Sequence, residues 1–418
     1  MKAILGGKLI DGFGGDPVDD GVVLIDDEGR IAKVGSADIV KVPRDAEVFD
    51  AHGMTILPGI VDCHVHGTYR ARDMRQHLLN SPTYNVLRST QILEETLACG
   101  VTTARDMGGA DAGFREAIRD GLIPGPELLI SLVMISQTGG HGDYWVPAGM
   151  RIAKRSWLPD PVADGEDGVR KLVRHVLAAG ADFIKICSTG GITSVSDSWD
   201  EPQFTVEELR VAVAEANAKN KKVAVHAEGL RGIRTALDAN VHSIEHGWFI
   251  DESCIDQMVE QGTWWVPTLA LVPLSVSERK SNPAWGSQQM GEEEKKDREI
   301  LDRMQNEQMP LWKEAVRRGV KIAMGTDQSH RLMTGQNLVE LEFMVNSLGM
   351  SPMEVLVAST SRAAECIERP DVGALQVGRW GDVLIVDGDP LDDISVLQDR
   401  ERLKLVMKHG KVYSNRIE

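Results

Sequence analysis

Five short apolar segments of this chain each carry side chains that can bind a metal or move a proton. GIVDCHVHG, which starts at Gly59, holds His64 and His66 two positions apart. In a strand, residues i and i+2 face the same side, so two imidazoles could converge on one cation. Lys185 sits among apolar neighbours in FIKIC. Burial disfavours an ammonium, lowers its pKa and frees the amine for chemistry. His226 lies in VAVHAEG and His246 in SIEHG, and neutral imidazole is the commonest metal-binding side chain. Asp327 closes AMGTD. A carboxylate there could bind a metal and take a proton from water. Singly, each has an ordinary reading: a satisfied core or surface histidine, or an edge-strand lysine with its head in solvent. The ordered set is far more specific than its parts.

Something must hold these groups together. From Thr55 the chain alternates apolar strand candidates with helical stretches. The strands are GIVDCHVHG, VTTARDMGG, LLISLVMIS, FIKICSTGG, KVAVHAEG, SIEHGWFI, WWVPTL and KIAMGTD. VRKLVRHVLAAGA and TVEELRVAVAEANAKNK lie between them, and Thr205 with Glu208 forms a capping-box pattern at the start of the second. Eight strands alternating with helices predict a parallel (β/α)8 TIM-like barrel, whose chemistry sits at the strand ends. The stretch from Ser277, SERKSNPAWGSQQMGEEEKKDREILDRMQNEQM, predicts a loop and a solvated helix between strands seven and eight.

The two ends have a different texture. AILGGKLIDG, GVVLIDDEGRIAKVG and AEVFDAHGMTILPG read as strands and hairpins, as do GDVLIVDGDP and LKLVMKHGKVYSN. The expected division is a composite β-sandwich domain from residues 1–57 and 366–418, around an α/β barrel at 58–365.

The formal net charge of −17 argues against nucleic acid and anionic membranes as partners. Five cysteines without a CxxC pair do not form a disulfide framework and suggest reduced thiols in the cytoplasm. The first residues, MKAILGGKLIDG, are interrupted by Gly6, Gly7, Lys8 and Asp11 before they reach the length of a signal-peptide core. With 418 residues the chain can bury a large core unaided.

Pro58-Gly59-Ile60-Val61-Asp62-Cys63-His64-Val65-His66 resembles the PG(I/L)xDxHxH motif of the amidohydrolase superfamily. The resemblance extends over essentially the whole chain and points to the binuclear metal-dependent branch. It implies that His64, His66 and Asp327 hold one divalent metal and that His226 and His246 hold the other. Lys185, carbamylated by carbon dioxide, would bridge the two. A bridging hydroxide would attack the substrate carbonyl, and Asp327 would pass the proton to the leaving group. Zinc suits nitrogen and oxygen ligands without a redox requirement. Ser136-Gln137-Thr138-Gly139-Gly140-His141 is similar to the SQTGGH segment of a subgroup with Xaa-Pro dipeptidases and metallo-carboxypeptidases, near the imidazolonepropionase-related amidohydrolases. There the histidine matching His141 lies close to the substrate and helps hold the scissile carbonyl; a structural loop hydrogen bond is the alternative.

The substrate is less defined. Relatives often carry Tyr or His two residues after the strand-five histidine; here that residue is Glu228, which would repel a substrate carboxylate unless paired, for instance with Arg231. Tyr69, Arg70, His330 and Arg331 follow metal-ligand segments and are candidates to hold a carboxylate. Trp145, Trp199 and Trp248 follow site segments and suggest a bulky apolar substrate part. The expected activity is hydrolysis of an amide in a dipeptide or N-acyl amino acid. The same site could instead serve a carbamate, urea, cyclic amide or ester. A small-molecule substrate and a homo-oligomer are the expected partners. A non-enzymatic scaffold would have lost ligands, whereas every ligand position here is filled.

Overall fold

The terminal strands place their apolar residues on two faces of one sheet, and this shapes the first layer. The computed structural model describes all residues except 69–79, 144, 147–149, 152–157, 193–196, 282–294, 296–297, 330–333 and 418. Strands β1 (Lys2–Leu9), β2 (Val18–Ile25), β3 (Ile31–Ser36), β4 (Glu47–Asp50) and β5 (Thr55–Pro58) come from the N-terminal part. They share an eight-stranded sheet with β17 (Val383–Val386), β18 (Leu403–Lys408) and β19 (Lys411–Asn415). The order is β19-β18-β17-β5-β1-β2-β3, with β4 parallel to β1. β17 lies antiparallel to β5, so the two ends of the chain meet at the heart of the sheet. Ile4, Val23, Ile25, Ile56, Ile385 and Leu405 pack on one face, and Ala3, Val22 and Leu24 pack under Val40 on the other.

Between Pro58 and β17 all the longer strands run parallel. β6 (Ile60–Val65), β7 (Val101–Asp106) and β8 (Glu127–Ile130) form one sheet. β9 (Met134–Ile135), β12 (Ile184–Cys187), β13 (Val223–Ala227), β14 (Ser243–His246), β15 (Trp264–Val266) and β16 (Lys321–Ile322) form another, in the order β16-β15-β14-β13-β12-β9. β10 (Trp145–Val146) and β11 (Met150–Arg151) make a small antiparallel hairpin. β6, β7, β12, β13 and β14 are buried at every position, as parallel strands covered on both faces should be. Val65 bridges Gln328 in parallel, and the Cys63 N–H donates to Met324 O at 2.9 Å, so the segment after β16 runs beside β6. The fold is therefore α/β.

The expected third strand, LLISLVMIS, is divided. Leu132 adopts φ +67°, which ends β8 and restarts the chain as β9. The first piece pairs with β7 and the second with β12. The helix Val206–Asn217 begins at the expected capping box, with the Thr205 side chain accepting from Glu208 N–H. A π-helical turn at Met304–Gln308 leads into the helix Met309–Arg317, where buried Trp312 donates to Trp248 O. Much of the charged stretch before it, with Trp285, lies outside the described residues. No helix among the described residues is long and apolar enough to cross a membrane.

Candidate metal centre and active site

Strand ends bring the candidate ligands together. His64 and His66 leave the same side of β6, and Asp327 arrives in the segment alongside, tied by its own N–H to His64 O at 2.8 Å. Asp327 Oδ1 lies 3.3 Å from His66 Nε2 and 3.6 Å from His64 Nε2. His246 ends β14, with its ring 5.0 Å from that of His64 and 4.6 Å from that of His226 on β13. Ligand atoms of His64, His66 and Asp327 lie within 4.8 Å of one another, as do those of His226, Glu228 and His246. His246, Thr268 and Asp327, at or after the ends of adjacent strands, all adopt left-handed φ, of +71°, +47° and +55°. Such backbone costs of order 1–3 kcal/mol per residue and clusters at functional sites, particularly for a β-branched residue such as Thr268.

Hydrogen bonds decide which ring nitrogen each histidine offers. His64 Nδ1 donates to Glu245 Oε2 at 2.8 Å, and His66 Nδ1 donates to Gly108 O at 3.0 Å. His246 Nδ1 pairs with Thr268 Oγ1 at 2.8 Å. These three rings present Nε2. His226 is reversed: Nε2 donates to Gly190 O at 3.0 Å, leaving Nδ1 to act as ligand. Glu228 Oε1 is 3.7 Å from that occupied Nε2 and Oε2 accepts from Ile192 N–H, so Glu228 stands on the far side of the His226 ring from its free nitrogen.

The electrostatics suit a cation. Burial, with the Lys185 charge, pushes His64 well below the usual imidazole range; burial and neighbouring histidines do the same to His226 and His246. All three are thereby neutral donors. Burial tends to raise Asp327, but His64 and His66 outweigh it and hold the carboxyl well below its usual range. His66 moves up, because Asp327 outweighs the effect of burial. Lys185 is 1% exposed, and its Nζ has no hydrogen-bond partner among the described residues. Burial lowers its pKa. An orphaned buried amine is costly in a finished structure, and this one is close enough to His64, His226, His246 and Asp327 to act on all four electrostatically. Neutral imidazoles, an ionised carboxylate and an amine that can be converted to an anion fit divalent metals.

Behind the ligands, buried Asp62 holds the site's frame. Its Oδ1 accepts from His64 N–H and Thr326 N–H, each at 3.1 Å; its Oδ2 accepts from Thr326 Oγ1 at 2.7 Å and Asn337 Nδ2 at 2.9 Å. Burial pushes this carboxyl up to about 6 despite those four donors.

The amidohydrolase family model matches residues 55–413. This chain belongs to the amidohydrolase family. An ochratoxinase of Aspergillus niger is 32% identical over 433 residues, covering 99% of this chain and 86% of the fungal protein. The crystal structure of that species' ochratoxinase matches with a TM-score of 0.86 at 30% identity, over 99% of this chain and 95% of the other. A Xaa-Pro dipeptidase with methionine bound in its active site matches with a TM-score of 0.86 at 30% identity, over 99% and 100% of the two chains. A prolidase complexed with N-methylphosphonate-L-proline reaches 0.88 at 30% identity, over 99% of both. The chain is an enzyme of the amide-hydrolysing kind, and its family depends on metal.

In this amidohydrolase His141 stacks on His226, with centroids 4.3 Å apart and planes 15° from parallel. Its backbone N–H donates to Gln203 Oε1, and Asp197 Oδ1 stands 4.0 Å from Nδ1. A Cβ on Gly191 would come within 2.1 Å of the imidazole, so only glycine allows this approach. The substrate-contact candidates scatter more. Trp248 is fully buried behind His246, donating its indole N–H to Pro267 O, so it stiffens a ligand rather than lining an open face. Trp145 is 53% exposed on the β10–β11 hairpin. Trp199 packs on Phe249 at 4.3 Å, with the Arg303 guanidinium over both rings. Arg231 donates to Asp200 O. Tyr69, Arg70, His330 and Arg331 lie outside the described residues.

The sequence reading missed Glu245 and Arg105. Both are charged residues inside apolar parallel strands, and that was the available signal.

Proposed function

We propose that this amidohydrolase uses two divalent metal ions, zinc by preference, to cleave the amide bond of a dipeptide or N-acyl amino acid with a bulky apolar part. The observation that carries the reading is the pair of ligand clusters beside the orphaned Lys185 amine. In this reading His64, His66 and Asp327 would hold one ion, His226 and His246 would hold the other, and Lys185, converted to a carbamate, would supply an anionic ligand to both. When bound, the ions would generate a nucleophile from water near neutral pH and polarise the scissile carbonyl. Asp327 accepts the proton released by that water and returns it to the leaving nitrogen. His141, set against His226, donates a hydrogen bond to the carbonyl oxygen. Tyr69, Arg70, His330 and Arg331 remain the candidates for a substrate carboxylate.

The proposed scaffold is a (β/α)8 barrel at 58–365, with a small β-sandwich domain from 1–57 and 366–418. The Val65–Gln328 bridge and the split pairing of β8 and β9 support a closed ring of eight strands. A second reading, a neutral urea, carbamate, cyclic amide or ester, is favoured by one feature: Glu228 brings a buried carboxylate to the end of β13. The test is zinc-loaded enzyme against paired libraries of dipeptides and N-acyl amino acids, and of neutral ureas, carbamates and esters. Preferential turnover of acyl amino acids supports the first reading. Turnover confined to neutral substrates replaces it with the second.

A further inference from the structure

We propose that Glu245 is the positioning residue that fixes His64 as a metal ligand, and that Arg105 anchors the Glu245 carboxylate in place for this task. The inference rests on the proposed metal site and adds an inequality between its two poles. Glu245 and Ser243 project from the same side of β14, and both are fully buried. Glu245 Oε2 accepts from His64 Nδ1 at 2.8 Å, while Oε1 accepts from Arg105 Nη2 at 2.8 Å and Ser243 Oγ at 2.6 Å. Arg105, on β7, also donates through Nε to Cys63 O at 2.7 Å, the carbonyl just before His64. One buried pair thus grips both the ring and the backbone of a single ligand, across three strands.

The chemistry follows from what each group can do. A carboxylate only accepts, so the proton of His64 stays on Nδ1 and the lone pair stays on Nε2. Nε2 is the nitrogen that faces Asp327. An anionic acceptor also makes the imidazole a stronger donor to a metal. The other three histidines are backed by neutral groups: Gly108 O, Gly190 O and the Thr268 hydroxyl. Asp327 adds a second anion at the same pole. The ion held by His64, His66 and Asp327 is therefore the tightly bound one, and the ion on His226 and His246 is the first to leave.

Glu245→Gln tests this sharply. Arg105 can only donate, so the amide oxygen turns to it and the amide NH2 faces His64 Nδ1. That arrangement demands a lone pair on Nδ1 and a proton on Nε2, the wrong tautomer for ligation. Zinc dissociation constants from chelator competition, with the absorption spectrum of the cobalt-substituted protein, give readouts independent of turnover. Wild-type protein should bind two ions with unequal constants. Glu245→Gln should weaken the tighter one by about 10–100-fold and change its cobalt spectrum, as loss of an outer-shell partner does. Should the single substitution leave too little folded protein, because Arg105 becomes an unpaired buried cation, Arg105→Gln/Glu245→Gln removes both charges, and the same loss is expected. Folded variant with both constants unchanged overturns the inference alone. Wild-type protein that takes up no zinc overturns it together with the proposed function.

Discussion

Lys185→Met should stabilise the metal-free protein while abolishing its ability to hold two ions. Lys185 Nζ is buried without a hydrogen-bond partner among the described residues. Leaving a buried polar group unsatisfied costs about 1–3 kcal/mol. Methionine fills a similar volume with no polar head, so the metal-free variant should gain roughly that amount, a rise of a few degrees in Tm. The pH dependence has a definite sign. Burial lowers the lysine pKa in the folded state below its ordinary 10.5. The unfolded chain then binds more protons, so wild-type stability rises with pH up to about 10.5 and falls as pH drops through the folded pKa. The advantage of Lys185→Met should therefore be largest near neutral pH and shrink towards pH 10.5. The assay is thermal and denaturant unfolding of chelator-treated wild type and variant across pH, with metal content measured after zinc reconstitution. A variant less stable than wild type when metal-free would show that the amine has a structural role. A variant that keeps both ions and its turnover would refute the claim that Lys185 is a ligand.

Asp327→Asn should keep the fold and lower kcat by about 10²–10⁴-fold, the usual worth of general acid–base assistance; a folded, metal-loaded variant with near-normal turnover would assign the proton transfer elsewhere. Glu340 receives the N–H groups of Leu269 and Ala270 at 2.7 and 2.8 Å, just past Thr268, and burial pushes it from 4.5 up to about 8. Its raised pKa contributes stability below pH 4.5 that is lost as pH rises through 8; the difference in unfolding free energy between wild type and Glu340→Gln should shift over that window, and a pH-independent difference would contradict the raised pKa. For matched N-acyl amino acids, the free carboxylate should be hydrolysed faster than the amidated form; equal or better turnover of the amide would exclude a carboxylate pocket and direct attention to Glu228.

The candidate ligands were legible in local patterns. His64 and His66 share a face by the two-residue period of a strand, and Lys185, His226 and His246 each sit inside an unmistakable apolar run. The alternation of strands and helices was equally plain. What could not be read depends on contacts between strands distant in sequence. LLISLVMIS has the apolar continuity of one strand, and only the left-handed Leu132 divides it between two neighbours. Trp248 follows a ligand by two residues and reads as a cleft aromatic, yet its indole N–H finds Pro267 O in the core. Arg231 follows Glu228 by three residues, but its guanidinium reaches the carbonyl of Asp200. The Arg105–Glu245–His64 relay joins residues from three strands, so neither periodicity nor spacing could assemble it.

The most direct test of the account is a crystal structure of zinc-replete enzyme, with the ions located by anomalous scattering. The account predicts two ions about 3.5–4 Å apart, the usual spacing of such centres. His64, His66 and Asp327 should hold one and His226 and His246 the other, with a carboxylated Lys185 between them. An unmodified Lys185 ammonium beside two ions, or ions bound away from these six residues, would contradict it.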